Sequence, residues 1–152
     1  MVEGDLRDWV RRAWPGDSDL VWVEAGRGGT VGLPDVNLPI AMRRGSVHNP
    51  ARLPVELKHW EQTRYGVRAE MRPAQRRYHI MEARAGRRSA ILASVTRSDG
   101  DFDTVLIPNH LCPLEPYGFK GVWMRGCRLL GPLGWRLWAE ETLVASAFWG
   151  MK

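Results

Sequence analysis

The chain is 152 residues long, 44% hydrophobic and 26% charged, with a net charge of +5, which suits one soluble domain with a real core and leaves too little for two. No apolar run approaches the roughly 20 residues that span a bilayer, and the opening stretch from Met1 to Trp14 carries acids where a secretory signal would carry an apolar segment. Neither a membrane partner nor export is expected, and the expected location is cytoplasmic.

Asp5 to Trp14 is predicted as a short helix, because Leu6, Trp9, Val10 and Ala13 recur at helical spacing and Pro15-Gly16 stops it. Leu20 to Glu24 is an apolar run that forms a strand or leads into one, and Gly26 to Gly29 is a loop. In Val31 to Ile40, Val36 and Leu38 alternate with Asp35 and Asn37, the period of a strand; Pro39 makes that strand short or places it at an edge. A polar turn or hairpin loop over Arg43 to Pro54 leads into a second strand, Leu53 to Trp60, while Arg64 to Met71 is ambiguous. Pro73 suits the first turn of a helix running to about Ala85 and closed by Gly86. Its apolar stripe is predicted as Ala74, Tyr78, Met81 and Ala85, bordered by Gln75 on one edge and by Arg77 and Arg84 on the other. Ser89 to Val95 and Asp103 to Pro108 are strands on either side of the turn Ser98-Asp99-Gly100-Asp101. The rest is rich in Gly, Pro and Trp, with a final helix from about Trp135 to Phe148. This order predicts an α/β domain with a mixed central sheet flanked by helices, its core spanning residues 1–110 and an extension, 111–152, packed on the same domain.

Charge is unevenly spread. Between Ala41 and Arg97 there are 13 Lys and Arg against 4 Glu, a surplus of nine in a chain whose total is +5. All but Lys58 are arginine, the cation best shaped to fork onto phosphate oxygens, so an acidic partner such as nucleic acid is expected. Arg27 and Arg76 could touch phosphate, though so basic a segment singles out neither. Cys112 and Cys127 are not expected to form a disulfide in a reducing compartment, and with His110 they match no zinc spacing. Most of the eight tryptophans are expected in the core. The C-terminal set, Trp123, Trp135, Trp138 and Trp149, would also suit a subunit interface, and a two-fold homodimer would pair two sites on a symmetric branched substrate.

The residues that carry chemistry are in Val55-Glu56-Leu57-Lys58. Side chains in a strand alternate faces, so Glu56 and Lys58 share one face with Cα atoms about 6.6 Å apart. If the strand holding Asp35 is the hairpin neighbour, Asp35 comes beside Glu56. Two carboxylates sharing a site repel, and a divalent cation, Mg²⁺ or Mn²⁺, removes that penalty. Held by Asp35, Glu56 and the Leu57 carbonyl, such an ion would supply what phosphodiester hydrolysis needs: a hydroxide-like nucleophile and a counter-charge for the phosphoryl oxygens. Lys58 would hydrogen-bond the attacking water or the developing oxyanion.

Pro34-Asp35 followed by Glu56-x-Lys58 resembles the PD-(D/E)XK nuclease signature. More narrowly, Gly32-Leu33-Pro34-Asp35, Val55-Glu56-Leu57-Lys58 and Arg72-Pro73-Ala74-Gln75 resemble the VRR-type branch, to which small phage and archaeal Holliday-junction resolvases are related. The resemblance covers about residues 20 to 108. It implies a restriction-endonuclease-like core and a metal-dependent endonuclease acting on DNA. It also implies that Gln75, on the helix after the E-x-K strand, lies near the active site, and that Glu24 supplies a further metal-binding or outer carboxylate. No separate base-reading module is visible, so recognition of branches or ends by shape is expected rather than of sequence. Two other readings are compatible with the composition: a basic nucleic-acid-binding or phage structural protein without turnover, and an interaction module whose Trp-rich tail docks a partner.

Overall fold

The alternation of Val55 and Leu57 with Glu56 and Lys58 is realised in the longest strand among the described residues. In the computed structural model these are residues 3–13, 21–23, 32–40, 51–64, 66–112, 127–129 and 149–150. Helix α1 (Glu3–Ala13) is followed by strands β1 (Val21–Trp22), β2 (Val36–Ile40), β3 (Ala51–Thr63) and β4 (Gly66–Arg68). Helix α2 (Pro73–Arg84), β5 (Ala90–Thr96), β6 (Phe102–Pro108), a 3₁₀ turn (Asn109–Leu111) and β7 (Cys127–Leu129) complete the order. The molecule is α/β, and its described residues form a mixed seven-stranded sheet in the order β1-β2-β3-β5-β6-β7, with β4 paired to β3. No helix among the described residues is long and apolar enough to cross a membrane.

Among the described residues only the β3–β5 pair is parallel, and α2 lies in its crossover, as a parallel connection requires. Strand β3 meets β5 through Val55↔Ala90 to Glu61↔Thr96. It meets β2 only up to Val36↔Val55 and β4 only from Glu61↔Arg68. Strand β5 shares Val55 with β2 and Glu61 with β4, so β2 and β4 both lie on the edge of β3 that β5 does not occupy. Among the described residues that edge has no strand partner from Glu56 to Trp60, a gap between two neighbours in line.

The strand limits differ from those read in the sequence at both ends of this hairpin. Strand β2 begins at Val36 rather than Val31, with residues 32–35 forming a turn, and β3 starts at Ala51 in spite of Pro54. Peptide groups of alternate residues point to opposite edges. The missing N–H of Pro54 thus faces the β5 side, where that ladder begins only at Val55. The missing N–H of Pro39 faces the β1 side, beyond the last β1 pair at Val21↔Asn37. Among the described residues neither proline removes a ladder bond, and so both are tolerated.

Two apolar clusters lie on the two faces. Leu6, Trp9 and Val10 of α1 pack with Val36, Leu38, Leu53, Val55, Leu57, Ala90, Leu92, Leu106 and Trp149. On the other face Trp60, Val67, Ala69, Met71, Ile91, Ala93, Val95, Val105, Ile107 and Cys112 pack together. The α1 expectation holds at Leu6, Trp9 and Val10, all buried. The stripe expected on α2 does not: Met81 is 54% exposed and Ala85 is exposed, while the buried residue is His79, whose Nδ1 lies 2.8 Å from the buried Ser89 Oγ. A polar residue with a matched partner has replaced an apolar one at the contact, and pattern counting misses that exchange. Gly86 (φ +72°) closes α2 as expected. From the C-terminal segment, β7 adds a strand beside β6 through Thr104↔Leu129, Val105↔Arg128 and Leu106↔Cys127, and Trp149 enters the α1-face cluster. Trp9, Trp60 and Trp149 are buried and Trp22 is half-buried. The helix expected over 135–148 and Trp123, Trp135 and Trp138 lie outside the described residues.

Candidate functional site

The gap along the β3 edge is where four of the residues singled out in the sequence meet. Extending the β2–β3 register by one position sets Asp35 opposite Glu56. The Leu57 N–H, which has no β2 residue to bond because the ladder ends at Val55, donates instead to Asp35 Oδ2 at 2.8 Å. A charge-assisted bond of this kind contributes about 1.5–3 kcal/mol and fixes the carboxylate at the strand edge. The Leu57 carbonyl projects from the same edge as its N–H, so it too points into the gap.

The approach to Asp35 is set by Gly32. Its φ is +95°, and a Cβ there would come within 2.8 Å of the Ala74 carbonyl oxygen in the first turn of α2. Only glycine fits both conditions, and so the Gly32–Asp35 turn is pressed against the helix that carries Gln75. At the third position of α2, Gln75 accepts from the Arg72 N–H through Oε1 at 3.1 Å and donates from Nε2 to Glu56 Oε1 at 2.6 Å. The backbone donor fixes the orientation of the amide, which leaves only its NH₂ to face the carboxyl. Lys58 Nζ is 3.6 Å from the same Glu56 Oε1.

Glu56 is 2% exposed. Burial first, and then the negative charge of Asp35, push its carboxyl up to about 8; Lys58 acts in the opposite direction and does not prevail. One oxygen, Oε2, is buried with no hydrogen-bond partner. A buried, neutral acid with an orphan oxygen beside a second carboxylate is a poor arrangement for stability and a good one for a hard cation. The donor set of Asp35, Glu56 and the Leu57 carbonyl fits Mg²⁺ or Mn²⁺, which take oxygen ligands and retain waters. Among the described residues no group of three or more His, Cys, Asp or Glu converges. Glu24, expected as a further carboxylate, and Arg27 lie outside the described residues.

Arg76 is on α2 and half-buried, near enough to Cys112 to act on it electrostatically. Cys112 is a buried free thiol, pushed up to about 12 by burial. Sequence reasoning missed Arg7, which α1 brings to 3.7 Å from Asp35 Oδ1. Its only signal was its place one position after an apolar residue of the α1 stripe, and that spacing does not show which strand edge the helix flank will meet. Comparison of the chain with protein-family models, with curated proteins and with solved structures returns no match in any of the three.

Proposed function

We propose that the protein is a divalent-cation-dependent phosphodiesterase, and more narrowly a DNA endonuclease with a restriction-endonuclease-like core of the PD-(D/E)XK, VRR-like type. The observation that carries this reading is the convergence of Asp35, Glu56, Lys58 and Gln75 at one break in the β3 edge. Asp35, Glu56 and the Leu57 carbonyl would hold the cation, Mg²⁺ or Mn²⁺. When bound, it lowers the pKa of water and offsets charge on the phosphoryl oxygens.

The chain's own groups do the remaining work. The Leu57 N–H holds Asp35 in place before any ligand arrives, so little reorganisation is needed. Gln75 holds the Glu56 carboxyl through Oε1 on the α2 face of β3. Lys58, 19% exposed and thus reachable from solvent, orients the attacking water and stabilises the charge that grows on the phosphoryl oxygen. Water adds to phosphorus and releases a proton to solvent, the bond from phosphorus to one ester oxygen breaks, and that oxygen takes a proton from solvent. The surplus of nine positive charges over residues 41–97 supplies sequence-independent attraction to DNA, consistent with selection of branched or end-containing DNA by shape.

The test is a titration of Mg²⁺ and Mn²⁺ over linear, nicked, flap and four-way DNA. Asp35→Ala and Lys58→Ala are expected to abolish cleavage while DNA binding persists; Gln75→Ala, one step removed, is expected to lose about 10- to 100-fold. Unchanged nicking of branched DNA by either of the first two variants would overturn the assignment. A basic DNA-binding protein without turnover would instead show steep salt-dependent binding and no product with either cation.

A further inference from the structure

Helix α1 brings two cations to the rim of the acidic pair. Arg7 and Arg11, one turn apart, both lie over the ring of Trp22, with guanidinium carbons 5.1 and 4.9 Å from its centroid. Trp22 is held in register opposite Val36, the residue after Asp35, and Arg7 reaches to 3.7 Å from Asp35 Oδ1. The result is a row of positive charge that begins at Asp35 and leads away from it along the helix, with an aromatic ring as its floor.

We propose that this row is the seat of the DNA strand beside the cleavage site, Arg7 facing the phosphate held at Asp35 and Glu56 and Arg11 facing its neighbour. The proposal rests on the nuclease reading for what occupies the Asp35 end. Residues four apart on a helix are separated by a rise of about 6 Å, of the order of the distance between successive phosphates of one strand. Guanidinium planes resting on an aromatic face are oriented before the ligand arrives, so less side-chain entropy is lost on binding than at an ordinary surface arginine.

Each of the two cations already faces an anionic oxygen of the kind a phosphate would replace. Arg11 Nη1 lies 3.1 Å from Asp8 Oδ1, and Asp8 is 69% exposed, so this ion pair is held weakly in water. Arg7 lies close to a carboxylate that a cation would engage, and its charge would then be presented to whatever that cation holds. Trp22 is half-buried, which leaves part of its surface for contact with sugar or base.

Anisotropy of a labelled four-way DNA with the full chain, in chelator to prevent turnover and over a range of salt, tests the seat directly. Arg11→Gln is expected to weaken binding about five- to tenfold and to reduce the salt slope by about one. Arg11→Lys should recover part of that loss. Trp22→Leu keeps both charges and should still weaken binding, with its thermal midpoint measured to confirm folding. Arg12→Gln removes the same charge from an exposed neighbour that does not share the ring, and should leave affinity within about twofold. Wild-type affinity and slope for Arg11→Gln, or an equal loss in Arg12→Gln, overturns the seat. If wild type cleaves DNA while Arg11→Gln binds normally, the seat fails and the nuclease reading stands. If no cation gives turnover but the Arg11 effect persists, the nuclease reading fails and the seat stands.

Discussion

Glu56 and His79 are both buried ionisable groups, and their opposite chemistry sets how stability depends on pH. Burial lifts the Glu56 carboxyl from 4.5 to about 8, so between those values the folded chain keeps a proton that the unfolded chain has released. Stability then falls as pH rises through this window, by at most on the order of 5 kcal/mol. His79 is the mirror case. Burial depresses it from 6.5 to about 4, and the unfolded chain binds the proton first, so stability falls as pH drops through that window by at most on the order of 3 kcal/mol. The two slopes cancel where the windows overlap and leave a plateau of stability between pH 4.5 and 6.5 in chelator. Thermal denaturation against pH should show both limbs. Glu56→Gln should flatten the alkaline one, and His79→Gln the acid one. Added Mg²⁺ should raise the wild-type midpoint more at pH 8 than at pH 6, and that difference should vanish in Glu56→Gln. An alkaline limb that survives Glu56→Gln would show that another group carries it.

The elements contribute by where they stop. Strand β2 ends its pairing at Val55, and β4 begins only at Glu61, and the stretch between them, without a strand partner among the described residues, is what the Asp35 carboxylate caps. The turn of residues 32–35 must therefore lie close against α2, and this is a backbone demand made at Gly32. Gly32→Ala would add a left-handed conformation to a 2.8 Å clash with the Ala74 carbonyl. It is expected to destabilise the fold by about 1–3 kcal/mol. Because relief of the clash moves Asp35 and Gln75 apart, cleavage should drop further than the fraction unfolded accounts for. Denaturant titration and cleavage rate measured on the same preparation check this; a rate that tracks folded fraction alone would show that the turn does not position the site. Helix α2 was legible from Pro73 and Gly86, whose effects are local. Its buried face was not, because His79 is satisfied by Ser89 from the next strand, and such a partner cannot be read from the helix's own sequence.

At the scale of the molecule, both faces of one sheet are occupied, and chain ends far apart in sequence share the same core. Trp149 packs with Leu6, Trp9 and Val10, so the last residues and the first helix depend on each other. Trp149→Ala is expected to cost about 3–5 kcal/mol, a large part of the roughly 5–15 kcal/mol that holds a typical domain folded. Deleting residues 113–152 removes that ring together with β7 and should leave a chain that does not fold cooperatively, as circular dichroism and a denaturant titration would show. A truncated chain with an intact cooperative transition would instead mark the segment as an appendage.

Period, punctuation and residue type are local properties, and with them the sequence alone determined the α/β order, the shared face of Glu56 and Lys58, the ends of α2, and a short β2 around Pro39. Contacts between distant segments were decided only by the tertiary structure. These are the open β3 edge, the Asp35 bond to the Leu57 amide, the Gln75–Glu56 pair, and Arg7 beside Asp35 above Trp22. Each depends on where a neighbouring strand stops or which flank of a helix meets the sheet, and those are fixed by the packing of the whole core.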